Sequence, residues 1–234
     1  MGMMLPDELI WIMEKLGFDW PDVDEDELRR GGDIVGTFRD ELEGKVQAVD
    51  RKVNGDLAAA MRGQAGPAFV SAWNANRSQN LQRMLDVLAP VPMATDIAAT
   101  VVLGLKIKVI ADLTTTMIAL VGMLTNPITA LGAGPMIIIK KKLLNAAVDI
   151  AVEQALNQLL PMMIEPLAEE LPALVLAALD APLVEAVVGD SDEFYADLQA
   201  LEQAEDEMEM HATDIESLID RLMTDLSGLN ITGD

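Results

Sequence analysis

The single histidine, His211, lies in "EDEMEMHATD", with Glu207 four residues before it and Asp214 three after. On a helix this spacing sets the three side chains on one face, the minimum a helical metal pair needs. An exposed acidic face offers only two or three ligands and nothing to close around the ion. A solvated surface histidine is therefore the simpler reading. The loop "DWPDVDEDE" is dense enough in carboxylates to suggest calcium, but it lacks the oxygen-ligand spacing and central glycine of an EF-hand. A capped helix start explains it better. "GAGP" at 132–135 has no following lysine and no preceding strand, so it reads as a turn between apolar helices and not as a phosphate loop. No G-x-S-x-G or strand-borne GxGxxG is present. The chain has no cysteine, which excludes disulfides, thiolate zinc sites and cysteine nucleophiles. The expectation is a non-catalytic protein with no metal and no cofactor.

Composition narrows the partners. Of 234 residues, 51% are apolar but only 3% aromatic. Ala, Leu, Val, Ile and Met carry the apolar content, which favours helices packed on helices over a sheet. The net charge is −23, from 39 acids against 16 bases. So acidic a chain is not expected to bind nucleic acid, whose phosphates need clustered Lys and Arg, nor to adsorb to anionic lipid. The opening "MGMMLPDELIW" lacks the basic start of a signal peptide, so any export is expected to follow a leaderless route.

The elements follow from periodicity. Leu5–Leu16 reads as a short helix stopped by Gly17, and Phe18, Trp20 and Pro21 would anchor the loop after it. Asp24, with Glu27 three residues on, predicts a capped start for a helix over 25–62. Leu28, Val35, Phe38, Leu42, Val46, Val49, Val53, Leu57 and Ala60 recur there at threes and fours. "RGGD" at 30–33 is its weak point. After a break at 63–66, Pro67 opens a second helix through Phe69, Trp73, Leu81, Met84 and Leu88, ended by "PVP" at 90–92. The two make an antiparallel hairpin.

A long apolar helical stretch follows over 93–125, carrying Lys106, Lys108 and Asp112. Leu113–Ile139 has no charge, and Asn126-Pro127 and "GAGP" interrupt it. The interruptions suit a buried hairpin better than a membrane span. Prolines 161, 166, 172 and 182 then cut the chain into short helices. A last helix is predicted over 190–229. Phe194, Leu201, Met208, Ile215 and Leu222 fall seven apart, with Leu198 and Ile219 in the companion seam. From residue 191 this arm holds thirteen acids and one base, so an acidic arm facing an acidic hairpin would repel at its rim.

"LAAAMRGQAGPAFVSAW" resembles the corner of the WXG-type family, small helical hairpins exported by type VII secretion. Met61-Arg62-Gly63 stands at the family's Trp-x-Gly position, with Gly63 kept and the Trp replaced by Met61. Ala68, Phe69 and Trp73 match the downstream pattern. "LPDELIWIMEKLGFDWPDVDEDELRR", with Trp11, Phe18, Trp20 and Pro21, resembles the opening of the longer WXG-like domains that begin actinobacterial polymorphic toxins. In the family, the corner acts with a Y-x-x-x-D/E tail as an export signal. Here the only tyrosine is Tyr195, and Gln199 stands where the acid would be.

The expected fold is all-α: an elongated bundle built on a long antiparallel helical hairpin, with an adjoining apolar core and a long C-terminal helix. The expected domains are 1–92, 93–189 and 190–234. The resemblance implies a non-catalytic targeting or scaffold domain of a type VII effector, made in the cytoplasm and exported to the envelope or medium. It also implies the secretion ATPase or small helical proteins as partners, with a downstream toxin and its immunity protein as further ones. The alternative is a membrane-inserting or pore-forming protein that uses the apolar hairpin 113–139.

Overall fold

The computed structural model describes residues 2–3, 13, 17, 20–21, 23–62, 65–124, 142, 145–146, 170, 173–174, 177, 195–196 and 198–231. The chain is all-α, its helices joined into long hairpin-like elements, with one ladder of two residues a side among the described residues. It divides into two compact units. One comprises Met1–Gly32, Met93–Pro161 and Leu229–Asp234, and the other Asp33–Pro92 and Met162–Gly228.

Helix α1 spans Glu25–Lys52, with acids in its first turn and Arg51 and Lys52 in its last, which suits the helix dipole at both ends. Asp24 caps it. Its Oδ1 accepts the N–H groups of Asp26 at 2.9 Å and Glu27 at 3.1 Å. The reciprocal half of a capping box is not made. The Asp24 N–H donates to the Ile231 carbonyl at 2.8 Å, while Glu27 accepts the Asn230 N–H at 3.2 Å and pairs with Arg30 at 3.3 Å. "RGGD" does not break the helix. A Cβ on Gly31 would stand 3.2 Å from Leu229 Cδ1, so the bare backbone there admits the C-terminal segment. A π-turn at Val53–Leu57 and the short α2, Ala58–Ala60, carry the helical course to the corner. Met61, at φ −100° and ψ 126°, ends it.

The return limb is α3, Ala65–Asn76, a π-turn at Arg77–Leu81, and α4, Gln82–Leu88. Pro67 stands in the first turn of α3, where its missing N–H costs no hydrogen bond. Leu42, Val46, Val49, Val53, Leu57 and Ala60 of the predicted stripe are buried. Val49, Val53, Leu57 and Trp73 form one cluster, and Leu42, Val46 and Leu85 another.

Helix α5, Val91–Leu124, is the predicted apolar stretch. Its buried positions include Ala94, Ala99, Leu105, Val109, Leu113 and Thr116. The interrupted part of the apolar hairpin, 125–139, lies outside the described residues. Among the described residues, no helix is long and apolar enough to cross a membrane.

The last helix, α6, spans Leu198–Ser227 and so begins later than the pattern suggests. Tyr195 and Ala196 are in a strand because their backbone pairs with the corner. The buried face is also rotated. Ile215 packs against the Leu42–Val46–Leu85 cluster, but Leu218 is the buried neighbour at 5% exposure and Ile219 is 46% exposed. The side chains of Phe194, Leu198, Leu201 and Met208 lie outside the described residues.

Candidate functional site

The hairpin corner gathers Met61, Phe69 and Trp73 of the residues that the sequence singles out. Strand β1, Met61–Arg62, runs antiparallel to β2, Tyr195–Ala196, with Met61 opposite Ala196 and Arg62 opposite Tyr195. The backbone groups that leave the helix after Ala60 thereby find partners in Tyr195 and Ala196, far along the chain. Gly63 lies outside the described residues. Gly66 is the glycine whose need is visible. A Cβ there would stand 2.9 Å from the Met61 carbonyl oxygen and 3.3 Å from that of Ala58. Sequence reasoning fixed on Gly63 and passed over Gly66, because a close backbone approach leaves no periodic mark.

Phe69 and Met61 are half-buried against the corner cluster, and Trp73 is 6% exposed within it. The Trp73 Nε1–H donates to Asp50 Oδ1 at 3.0 Å. Asp50 Oδ2 pairs with Arg77 Nη1 at 3.1 Å, and the Asn54 amide donates to Asp50 Oδ1 at 3.0 Å. Asn54 and Asn74 exchange amide hydrogen bonds at 3.3 and 3.4 Å. The indole is thus both a core filler and one donor in a polar clasp across the two limbs.

A second centre lies at the start of α1. Glu25 and Lys106 are 3% and 1% exposed and meet at 2.6 Å. The Lys106 ammonium also sits 5.6 Å from the centroid of the Trp20 ring. The Met3 N–H donates to Glu25 Oε1, and the Gly2 N–H to Asp24 Oδ2 at 3.0 Å. Burial pushes the Glu25 carboxyl up, but the Lys106 and Met3 hydrogen bonds together outweigh it and hold the group below the usual carboxylate range. Trp20 and Pro21 are half-buried. Trp11 and Phe18 lie outside the described residues.

The contact between α1 and α6 corrects two expectations. The rim is tied by opposite charges: Lys45 with Asp214, Lys52 with Glu207 at 2.7 Å, and Arg221 with Glu41 at 2.8 Å. Repulsion is relieved because the few bases are placed there. The Lys45 hydrogen bond holds Asp214 below its ordinary value. His211 is half-buried rather than fully solvated, and among the described residues its buried Nδ1 has no hydrogen-bond partner. Glu207 and Asp214, its nearest carboxylates in sequence, are engaged by lysines. Among the described residues, no group of three His, Asp or Glu side chains is placed to hold a metal ion.

Residues 4–143 match the WXG100 like domain. No curated protein and no solved structure matches the chain. The family match spans more than half of the sequence, and its N-terminal part contains the capped α1, the corner and the return limb described above. The chain therefore belongs to the WXG100-like domain family, helical proteins associated with type VII secretion.

Proposed function

We propose that this chain is a non-catalytic targeting and scaffold module of a type VII secretion effector. It docks on a helical partner or on the secretion ATPase, and it carries cargo joined behind it. The observation that carries the reading is the β1–β2 ladder. In the family, the corner and a tyrosine-bearing tail act together as an export signal. Here the Met61–Arg62 corner and the Tyr195 segment are paired strand to strand within one chain, so the two halves of a degraded signal stand side by side. Trp73, hydrogen-bonded to Asp50, belongs to the cluster that Met61 packs against and so braces the corner. Phe69 and Met61 pack against the same corner cluster.

The test is export of the full chain by a host with a type VII system, with Tyr195→Ala and Arg62→Glu as variants. The expected result is a fall of about tenfold or more in the exported fraction, with intracellular protein retained and helical content unchanged. Undiminished export of both variants would overturn the reading.

A further inference from the structure

Helix α6 has an apolar flank that its contact with α1 leaves uncovered. Ala212, Ile219 and Met223 are exposed, the latter two by 46% and 63%, and Leu226 is half-buried. At spacings of seven, four and three they form one strip roughly 20 Å long beside the docked face. Glu209, Glu216 and Asp220, all exposed, run along its outer edge at spacings of seven and four. Among the described residues none of the three is in an ion pair, whereas Glu207, Asp214 and Arg221, on the far side of the docked face, are all paired.

We propose that this flank is the docking site for an amphipathic helix of a partner protein, one whose apolar stripe is bordered by Lys or Arg. Charge decides the occupant. The segment from residue 191 carries thirteen acids and one base. A second copy of α6 would set Glu209, Glu216 and Asp220 against their equals, and an anionic bilayer would be repelled for the same reason. A basic-edged helix meets both halves of the surface: Ile219 and Met223 fill the gaps of its apolar stripe, and its cations answer the outer acids. The strip lies outside the family match, which covers residues 4–143. The inference rests on the reading of the chain as a docking module and gives the partner its chemistry.

The experiment uses the full chain and two labelled synthetic helices of about 20 residues, with a leucine stripe bordered by lysine or by glutamate. Fluorescence anisotropy reads binding between about 50 and 200 mM salt. The lysine helix is expected to bind, more weakly at the higher salt, and the glutamate helix not to bind. Ile219→Ser with Met223→Ser leaves the charge unchanged and is expected to weaken binding at least about tenfold. Neutralising Glu209, Glu216 and Asp220 to their amides is expected to weaken it similarly and to flatten the salt dependence. Equal binding by the serine double variant would mean plain ionic adsorption and would overturn the proposal. A wild-type chain that sediments as a dimer, and a serine variant that does not, would also overturn it by making the flank a self-association face. The assay contains no secretion machinery, so its failure removes this surface and leaves the export reading to its own test.

Discussion

The Glu25–Lys106 pair makes the sharpest demand on the physical account. Both side chains are nearly sealed from water, so neither solvent nor salt screens them. Lys106→Met keeps most of the side-chain volume and strands a carboxylate beside Trp20 and Met3. Removing one member of a buried pair costs about 3–5 kcal/mol, because the other charge stays uncompensated. Glu25→Leu strands the ammonium at a similar cost. The double variant strands nothing. It forgoes the favourable acid at the start of α1, about 0.3–1 kcal/mol, and the acceptor for the Met3 N–H, about 1 kcal/mol. Apolar packing offsets part of that loss. The double variant is therefore expected within about 2 kcal/mol of the parent, where simple addition of the singles requires about 6–10.

Urea unfolding followed by helical signal and tryptophan fluorescence measures all four proteins. Acid supplies a second readout. The Glu25 carboxyl is depressed in the folded chain, so its stabilisation is present above the unfolded value and is lost as pH falls through the folded one. In Lys106→Met the stranded carboxyl is easier to bury once protonated, so the gap between variant and parent should narrow from about pH 7 to about pH 4. Singles that simply add in the double variant, or a gap that widens in acid, would refute the reasoning.

Trp73→Phe should cost about 1 kcal/mol, since Asp50 keeps Arg77 and Asn54 when the indole donor is lost, while Trp73→Ala should cost about 3–5 by opening the corner cluster; chemical denaturation separates them. Gly66→Ala should destabilise by about 1–3 kcal/mol, because its Cβ meets the Met61 carbonyl at 2.9 Å and a backbone must move; thermal melting reads the loss. Asp214 is held low by Lys45, so its contribution to fixing α6 is present above the unfolded value and fades as pH falls through the folded one; Asp214→Asn should flatten the acid limb of the melting profile.

What the sequence reveals is what short-range spacing records. The stripe from Leu42 to Ala60, the Asp24 cap and the apolar run of α5 all express themselves within a turn or two of helix. The rotation of α6 does not. Leu218 and Ile219 are adjacent and equally apolar, so either can complete a seam. The distant pairs Glu41–Arg221 and Lys45–Asp214 accompany the rotation that turns Leu218 inward, and neither is visible in local spacing. Likewise Glu25 and Lys106 stand 81 residues apart, and each looks alone like an ordinary surface charge. The late start of α6 has the same origin. Residues 195 and 196 read as helix until the corner offers their backbone a partner.

The scarcity of bases gives these long-range contacts a common logic. With 16 bases against 39 acids, the bases cannot match the carboxylates one to one, so where the bases stand bears on which surfaces stay charged. Lys45, Lys52 and Arg221 join α6 to α1, Arg77 ties the return limb to Asp50, and Lys106 is spent inside. Each ion pair across elements relieves repulsion where helices must touch and leaves the excess acid on faces that touch nothing. On α6 that excess borders an apolar strip. A scattered acidic surface keeps a protein soluble, but acids aligned beside exposed Ile219 and Met223 also select by sign. The same allocation that lets so acidic a chain close its helices thus leaves one helix flank suited to a partner of opposite charge.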